Sequence, residues 1–137
     1  MNVAIVDDEL EMRQTLVEYI GKFGEESGIE LETVTFESGE QFLKDYRKIF
    51  DIIIFDIDMP GINGIDTARK LRETDSNVTI IFVTNIAQYA INGYEVDAVD
   101  YILKPISYYD FSMKFHRTVA KAAQKKENII KIETAEG

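Results

Sequence analysis

The sequence predicts an α/β fold, a doubly wound parallel sheet of five strands with helices on both faces, and two observations carry that prediction. Five short apolar runs each stop at a polar residue of a kind that phosphoryl chemistry uses. Amphipathic stretches of helical period separate them, so strand and helix alternate along the chain.

Val3-Ala4-Ile5-Val6 stops at Asp7-Asp8-Glu9 and reads as the first strand. It lacks polar alternation, as expected of a parallel strand buried on both faces. Beyond it, Met12, Leu16, Tyr19, Ile20 and Phe23 make one stripe at helical spacing, with acids in the first turn that suit the helix dipole and Gly24 and Gly28 bracketing the end. The second run, residues 31–36, stops at Glu37-Ser38, and Ser38 can cap a short helix carrying Phe42, Leu43 and Tyr46, with Glu40 and Gln41 placed to support the cap. Ile52-Ile53-Ile54-Phe55 stops at Asp56. The following Met59-Pro60-Gly61-Ile62-Asn63-Gly64 is turn chemistry, in which proline fixes one dihedral and glycine permits positive φ. Asn63 can cap a third helix carrying Ile65, Ala68 and Leu71. Ile80-Ile81-Phe82-Val83 stops at Thr84, and a weaker fourth helix is predicted over residues 87–94. The last run, residues 99–103, stops at Lys104-Pro105 before a fifth helix from about Ser107 through Phe111, Phe115, Val119 and Ala122. Right-handed crossovers then bring all five strand ends to one edge, where open α/β sheets place ligands.

The tail departs from this pattern. Lys121, Lys125 and Lys126 suit the last turns of a helix, after which Ile130, Ile132 and Thr134 alternate with Lys131 and Glu133. That alternation predicts a new strand leading into a turn, so residues 125–137 read as a linker and the start of a truncated second domain after one domain over residues 1–124.

A chain of 137 residues with 45% hydrophobic content fits one domain with a full core. Fifteen basic against 25 acidic residues give a net charge of -10, which repels phosphate backbones and argues against nonspecific nucleic-acid binding by this chain. No cysteine is present, so no disulfide framework exists. The first residues lack a basic n-region, so no signal peptide is expected, and the apolar runs are too short to span a bilayer, which takes about 20 residues. These features favour a cytoplasmic protein that does not engage membranes.

Hard divalent cations such as Mg²⁺ prefer oxygen ligands, a few from protein and the rest from water and phosphate. Asp7, Asp8 and Asp56 can supply them. A carboxylate such as Asp56 at the end of an all-apolar run suffers desolvation unless it is paired or metal-bound, and it can act as a nucleophile that forms an aspartyl phosphate. Lys104 offers a point charge for a phosphoryl oxygen, and Thr84 offers a hydroxyl donor.

The acidic pair, Asp56-Ile57-Asp58-Met59-Pro60-Gly61, Thr84 and Lys104-Pro105, complete and in this order, resemble the receiver domain of two-component response regulators over residues 2–124. The resemblance implies a flavodoxin-like sheet of strand order 2-1-3-4-5 and a Mg²⁺-dependent phosphoryl transfer from a sensor histidine kinase. It implies Asp56 as the phosphoacceptor, Asp7 and Asp8 as metal-holding acids with the Asp58 backbone carbonyl, and Lys104 as the phosphate-pairing cation. Thr84 and Tyr101 match the switch pair, and the Lys104-Pro105 bond is expected to be cis. By the same resemblance the face of the fourth helix, fifth strand and fifth helix, including Ile91, Tyr94, Tyr101, Tyr108 and Lys114, switches on phosphorylation and forms a homodimer.

The wording around Asp56 and the strand expected after Glu127 further resemble regulators with a LytTR-type DNA-binding domain, which implies transcription control through an output domain. Asn85 and Asp58 depart from the commonest receiver pattern and bear on the lifetime of the phosphoryl group. Asp58 and Ile86 together predict slow autodephosphorylation and a signalling protein rather than a conventional enzyme. Two rivals exist. A haloacid-dehalogenase-type phosphohydrolase would use Asp56-Ile57-Asp58, but Pro60 stands where Thr or Val is expected, and Asp7-Asp8 would lack a role. A non-phosphorylated interaction module would normally have lost an acid, the Thr or the Lys.

Overall fold

A computed structural model describes the backbone over residues 1–89 and 93–136, and the side chains through residue 129 apart from those of Tyr89 and Tyr94. Its strands are β1 (Asn2–Val6), β2 (Glu32–Phe36), β3 (Ile52–Asp56), β4 (Thr79–Thr84) and β5 (Ala98–Leu103). Its helices are α1 (Leu10–Ser27), α2 (Gly39–Lys44), α3 (Gly64–Thr74) and the C-terminal α4 (Tyr108–Glu136). All pairings are parallel, and the strand order is β2-β1-β3-β4-β5, as the resemblance implies.

Register fixes the site. Val6 lies opposite Phe55, Asp56 opposite Val83 and Thr84 opposite Leu103, so the polar residues that end β1, β3, β4 and β5 emerge together. Side chains alternate across the sheet, sending Ile54 to one face and Phe55 to the other. On one face Ile5, Ile54 and Ile81 meet Leu16 and Phe23 of α1 and Phe111 and Phe115 of α4. On the other, Val6, Ile53 and Phe55 meet Phe42 of α2 and Ala68 and Leu71 of α3. Edge-to-face pairs lock each layer, Phe23 on Phe115 at 5.0 Å and Phe42 on Phe55 at 5.3 Å between ring centroids. Burying each such ring stabilises the fold by roughly 1.5–3 kcal/mol, enough to hold a helix as short as α2.

Both predicted caps are present. Ser38 Oγ accepts from the Gln41 amide at 3.0 Å, and Asn63 Oδ1 accepts from the Asp66 amide at 2.8 Å. Burial on both faces holds for β3 and β4 but not for β2 and β5, which lie at the sheet edges with one neighbour each and stay partly exposed. Tyr46 falls beyond the end of α2, where its hydroxyl donates to Asp75 at 2.7 Å. Of the fourth helix expected over residues 87–94, residues 90–92, Ile91 among them, and the Tyr94 side chain lie outside the described residues, and 3-10 turns flank that stretch at Ala87–Tyr89 and Tyr94–Val96.

The strand expected at residues 130–134 is instead the last part of α4. A single strand there would have no neighbour to pair with, whereas a helix closes its own backbone hydrogen bonds, and Lys, Glu and Ala are good helix formers. The helix is also tied to the sheet: Lys125 donates to the Asn77 carbonyl at 2.9 Å, and Lys126 pairs with Asp51 at 3.7 Å. Among the described residues no helix is long and apolar enough to cross a membrane.

Candidate functional site

Carboxylate oxygens of Asp7, Asp8 and Asp56 lie within 4.8 Å of one another at the carboxyl edge of the sheet. Asp7 and Asp56 are buried at 1% and 2% exposure, while Asp8 faces solvent. Lys104 reaches in from the end of β5, its Nζ 3.2 Å from Asp56 Oδ1 and 3.7 Å from Asp7 Oδ2. Glu9 approaches the same ammonium at 4.0 Å. Among the described residues, one oxygen of each buried acid, Asp7 Oδ2 and Asp56 Oδ2, has no hydrogen-bond partner.

Burial raises the Asp56 pKa to about 7, with the Asp7 charge adding to the rise and Lys104 opposing it. Burial likewise raises that of Asp7, against the Glu9 amide, which donates to Asp7 Oδ1 at 2.8 Å. Burial works against the Lys104 ammonium, but the Asp56 and Asp7 charges outweigh it and hold its pKa above the ordinary value. Two buried carboxylate oxygens that accept no hydrogen bond among the described residues, beside a third, exposed acid, form an all-oxygen donor set that suits a hard divalent cation.

Backbone geometry holds the acids in place. Gly64, the first residue of α3, packs so closely under β3 that a Cβ there would lie 2.0 Å from the Asp56 carbonyl oxygen. Its amide donates to Ile57 O at 2.9 Å. Gly61 has φ +76°, and its Cα faces the Glu40 carboxylate, which accepts from the Ile62 amide at 3.4 Å. Arg13 Nη1 donates to the Asp7 carbonyl at 2.8 Å. Arg13 carries no signal in the sequence beyond a polar position on a helix, and Glu40, expected only to support the Ser38 cap, faces the Gly61 turn instead.

The remaining expected residues lie around this cluster. Thr84 is buried at the end of β4, and its Oγ1 accepts from the Ile86 amide at 3.1 Å. Asp58 is exposed in the loop after β3. Tyr101 is half-buried on β5, with Lys114 Nζ 5.2 Å from its ring centroid. Asp100 beside it pairs with Arg117 of α4 at 2.6 Å. Tyr108 does not share that face: it packs edge-on against Tyr19 of α1 at 5.4 Å, under Lys22 at 4.3 Å, because the start of α4 lies over α1. The Lys104-Pro105 bond is cis.

Comparison with known proteins agrees with this geometry. The response regulator receiver domain family matches residues 3–115. The chain is 40% identical over 93 residues to the sensory transduction protein LytT of Oceanobacillus iheyensis, covering 66% of this chain and 38% of that protein. It is 31% identical over 133 residues to LytT of Bacillus subtilis, covering 97% of this chain and 52% of that protein. It thus spans about half or less of the length of these relatives. Among solved structures, the response regulatory domain of mrkE from Klebsiella pneumoniae aligns with TM-score 0.79 at 28% identity, covering 90% of this chain and 99% of that one. The response regulator protein TrrA of Thermotoga maritima, in complex with Mg²⁺ and BeF, aligns with TM-score 0.72 at 28% identity, covering 85% and 97%.

Proposed function

Because the chain belongs to the response regulator receiver family, we propose that Asp56 takes a phosphoryl group from the phosphohistidine of a sensor kinase in a Mg²⁺-dependent step. The observation that carries this reading is a buried, half-unpartnered Asp56 facing Lys104 at 3.2 Å with Asp7 and Asp8 beside it. An Asp56 carboxylate oxygen attacks phosphorus, the P–N bond breaks with its electron pair going to the imidazole, and an acyl phosphate forms. Asp7, Asp8, Asp56 and the Asp58 backbone carbonyl would hold the cation. Bound Mg²⁺ supplies neutralisation of the phosphoryl oxygens. Lys104 then exchanges part of its pairing with Asp56 and Asp7 for the phosphoryl group, and Thr84, whose oxygen already accepts from Ile86, still has its own proton to donate.

The group adds roughly -1.5 to -2 charge. Drawing Thr84 toward it frees space for Tyr101 to turn inward, which remodels β5, α4 and the segment before β5 and promotes a homodimer through that face. Supporting this face are Tyr101 and Lys114, and not Tyr108. The family match over residues 3–115 supports residues 1–124 as the receiver, and similarity to LytT proteins supports 125–137 as a linker, helical through Glu136, toward a LytTR-type output domain that binds DNA to regulate transcription. The protein would work in the cytoplasm, without contacting membranes, as a signalling phosphoprotein rather than a conventional enzyme.

Mass spectrometry after incubation with acetyl phosphate and Mg²⁺ tests the reading. One phosphoryl adduct, absent from Asp56→Asn, is expected. Rapid phosphate release without an adduct would favour a phosphohydrolase, no reaction would favour a bare interaction module, and equal labelling of Asp56→Asn would overturn the site assignment.

A further inference from the structure

At the sheet edge opposite Asp56, the segments leading into β3 and β4 and the middle of α4 line a half-open cavity of about 360 Å³. That size lies within the range of small-molecule sites, roughly 300–1,000 Å³. One wall is apolar, built from Phe50, Val78, Ala122 and Ile129. Lys48, Lys125 and Lys126 line the rest against two acids, Asp51 and Asp75. In a chain of net charge -10, a cavity with more cations than anions is unusual.

Both acids are already engaged. Asp75 accepts from the Tyr46 hydroxyl at 2.7 Å and from the amides of Asn77 and Val78 at 3.0 and 3.1 Å. Asp51 accepts from the Asn2 amide at 2.8 Å and pairs with Lys126 at 3.7 Å. Lys125 is left with a neutral partner, the Asn77 carbonyl at 2.9 Å, and neither it nor Lys48 forms an ion pair among the described residues. Burial and the Arg72 charge push the Lys125 ammonium below its ordinary pKa, with Lys121 adding to the fall and the Asp97 and Asp75 charges opposing it.

We propose that this cavity binds a small organic anion, an oxyanion head on a flat apolar body. Lys125 and Lys48 pair with the head, and Phe50 and Ile129 cover the body. Occupancy would tie α4 to the floor of the sheet, giving the helix an input separate from the phosphoryl site.

The test is amide NMR on the whole chain without Mg²⁺, titrated with phenylphosphonate, benzoate and inorganic phosphate. Phenylphosphonate or benzoate should move the Asn77, Val78 and Thr79 amides saturably at millimolar concentration or below. The stronger of the two identifies the head, and inorganic phosphate, lacking the body, should bind at least tenfold more weakly than it. Lys125→Ala, at a partly exposed position, should weaken binding at least tenfold. Lys48→Ala, at an exposed position, should do the same while keeping a folded amide spectrum. Absence of saturable shifts at millimolar ligand, shifts confined to residues around Asp8 and Asp56, or unchanged binding by both variants would overturn the proposal.

Discussion

At Asp56, burial and the neighbouring Asp7 raise the carboxyl pKa to about 7, whereas an unfolded chain releases that proton near pH 4. Between about pH 4 and pH 7 the folded protein therefore binds more protons than the unfolded one, and its stability falls as pH rises. Without metal, Asp56→Asn should be more stable than the parent at pH 8, by roughly 1–4 kcal/mol, with the gap closing toward pH 4. Urea titration at both pH values checks this, and equal stabilities at pH 8 would contradict it. Residue identity also bears on how long the phosphoryl group lasts. Ile86, 38% exposed two positions after Thr84, cannot orient a water, and the exposed Asp58 repels an anionic nucleophile. Purified phosphoprotein should lose its label over many minutes; a half-life of seconds would contradict the assignment of both residues, and Ile86→Gln should shorten it.

Among the elements, the β3–α3 junction places the site most tightly, because α3 starts directly against the Asp56 carbonyl. Gly64→Ala would bring a Cβ to 2.0 Å from that oxygen, so the loop must move. A loss of more than ~2 kcal/mol is expected, together with slower phosphoryl labelling. Asn63→Ala removes only the cap bond to the Asp66 amide and should cost about 1 kcal/mol with labelling retained. Similar effects from the two changes in denaturation and labelling would mean that close backbone approach is not what positions Asp56. The helix α3 also holds the turn before β5: Arg72 Nε donates to Val96 O at 2.7 Å, and Arg69 pairs with Glu95. Any rearrangement after β4 is thus anchored at its far end.

For the whole molecule, the proposed switch requires two arrangements of Thr84 and Tyr101 close enough in energy that the added charge changes their populations. Tyr101 is half-buried under Lys114, and Asp100 is bound to Arg117, so a turn of the ring inward alters the contact between β5 and α4 directly. Sedimentation with beryllofluoride and Mg²⁺ should show a dimer where the unmodified chain is a monomer, and Lys114→Glu should weaken it. An unchanged monomer at high micromolar concentration, with unshifted Tyr101 amide, would rule this mechanism out.

Sequence alone determined the five strands, α1, α2, α3 and the first part of α4, and the polar residues at the sheet edge, because hydrophobic period and strand-end chemistry are local properties of the chain. Asp7, Asp8, Asp56, Thr84 and Lys104 were legible for that reason, as were the caps Ser38 and Asn63. Tertiary structure decided what depends on neighbours distant in the chain. Which Asp oxygens lack partners, the rise in the Asp56 pKa, and the approach of Glu9 and Arg13 all follow from packing that brings separate loops together. Tyr108 turned toward α1 because α4 crosses over that helix, which no local pattern specifies. The alternating tail was misread as a strand for the same reason: alternation signals a strand only where another strand is available to pair, and the tail instead continued α4, whose backbone needs no partner.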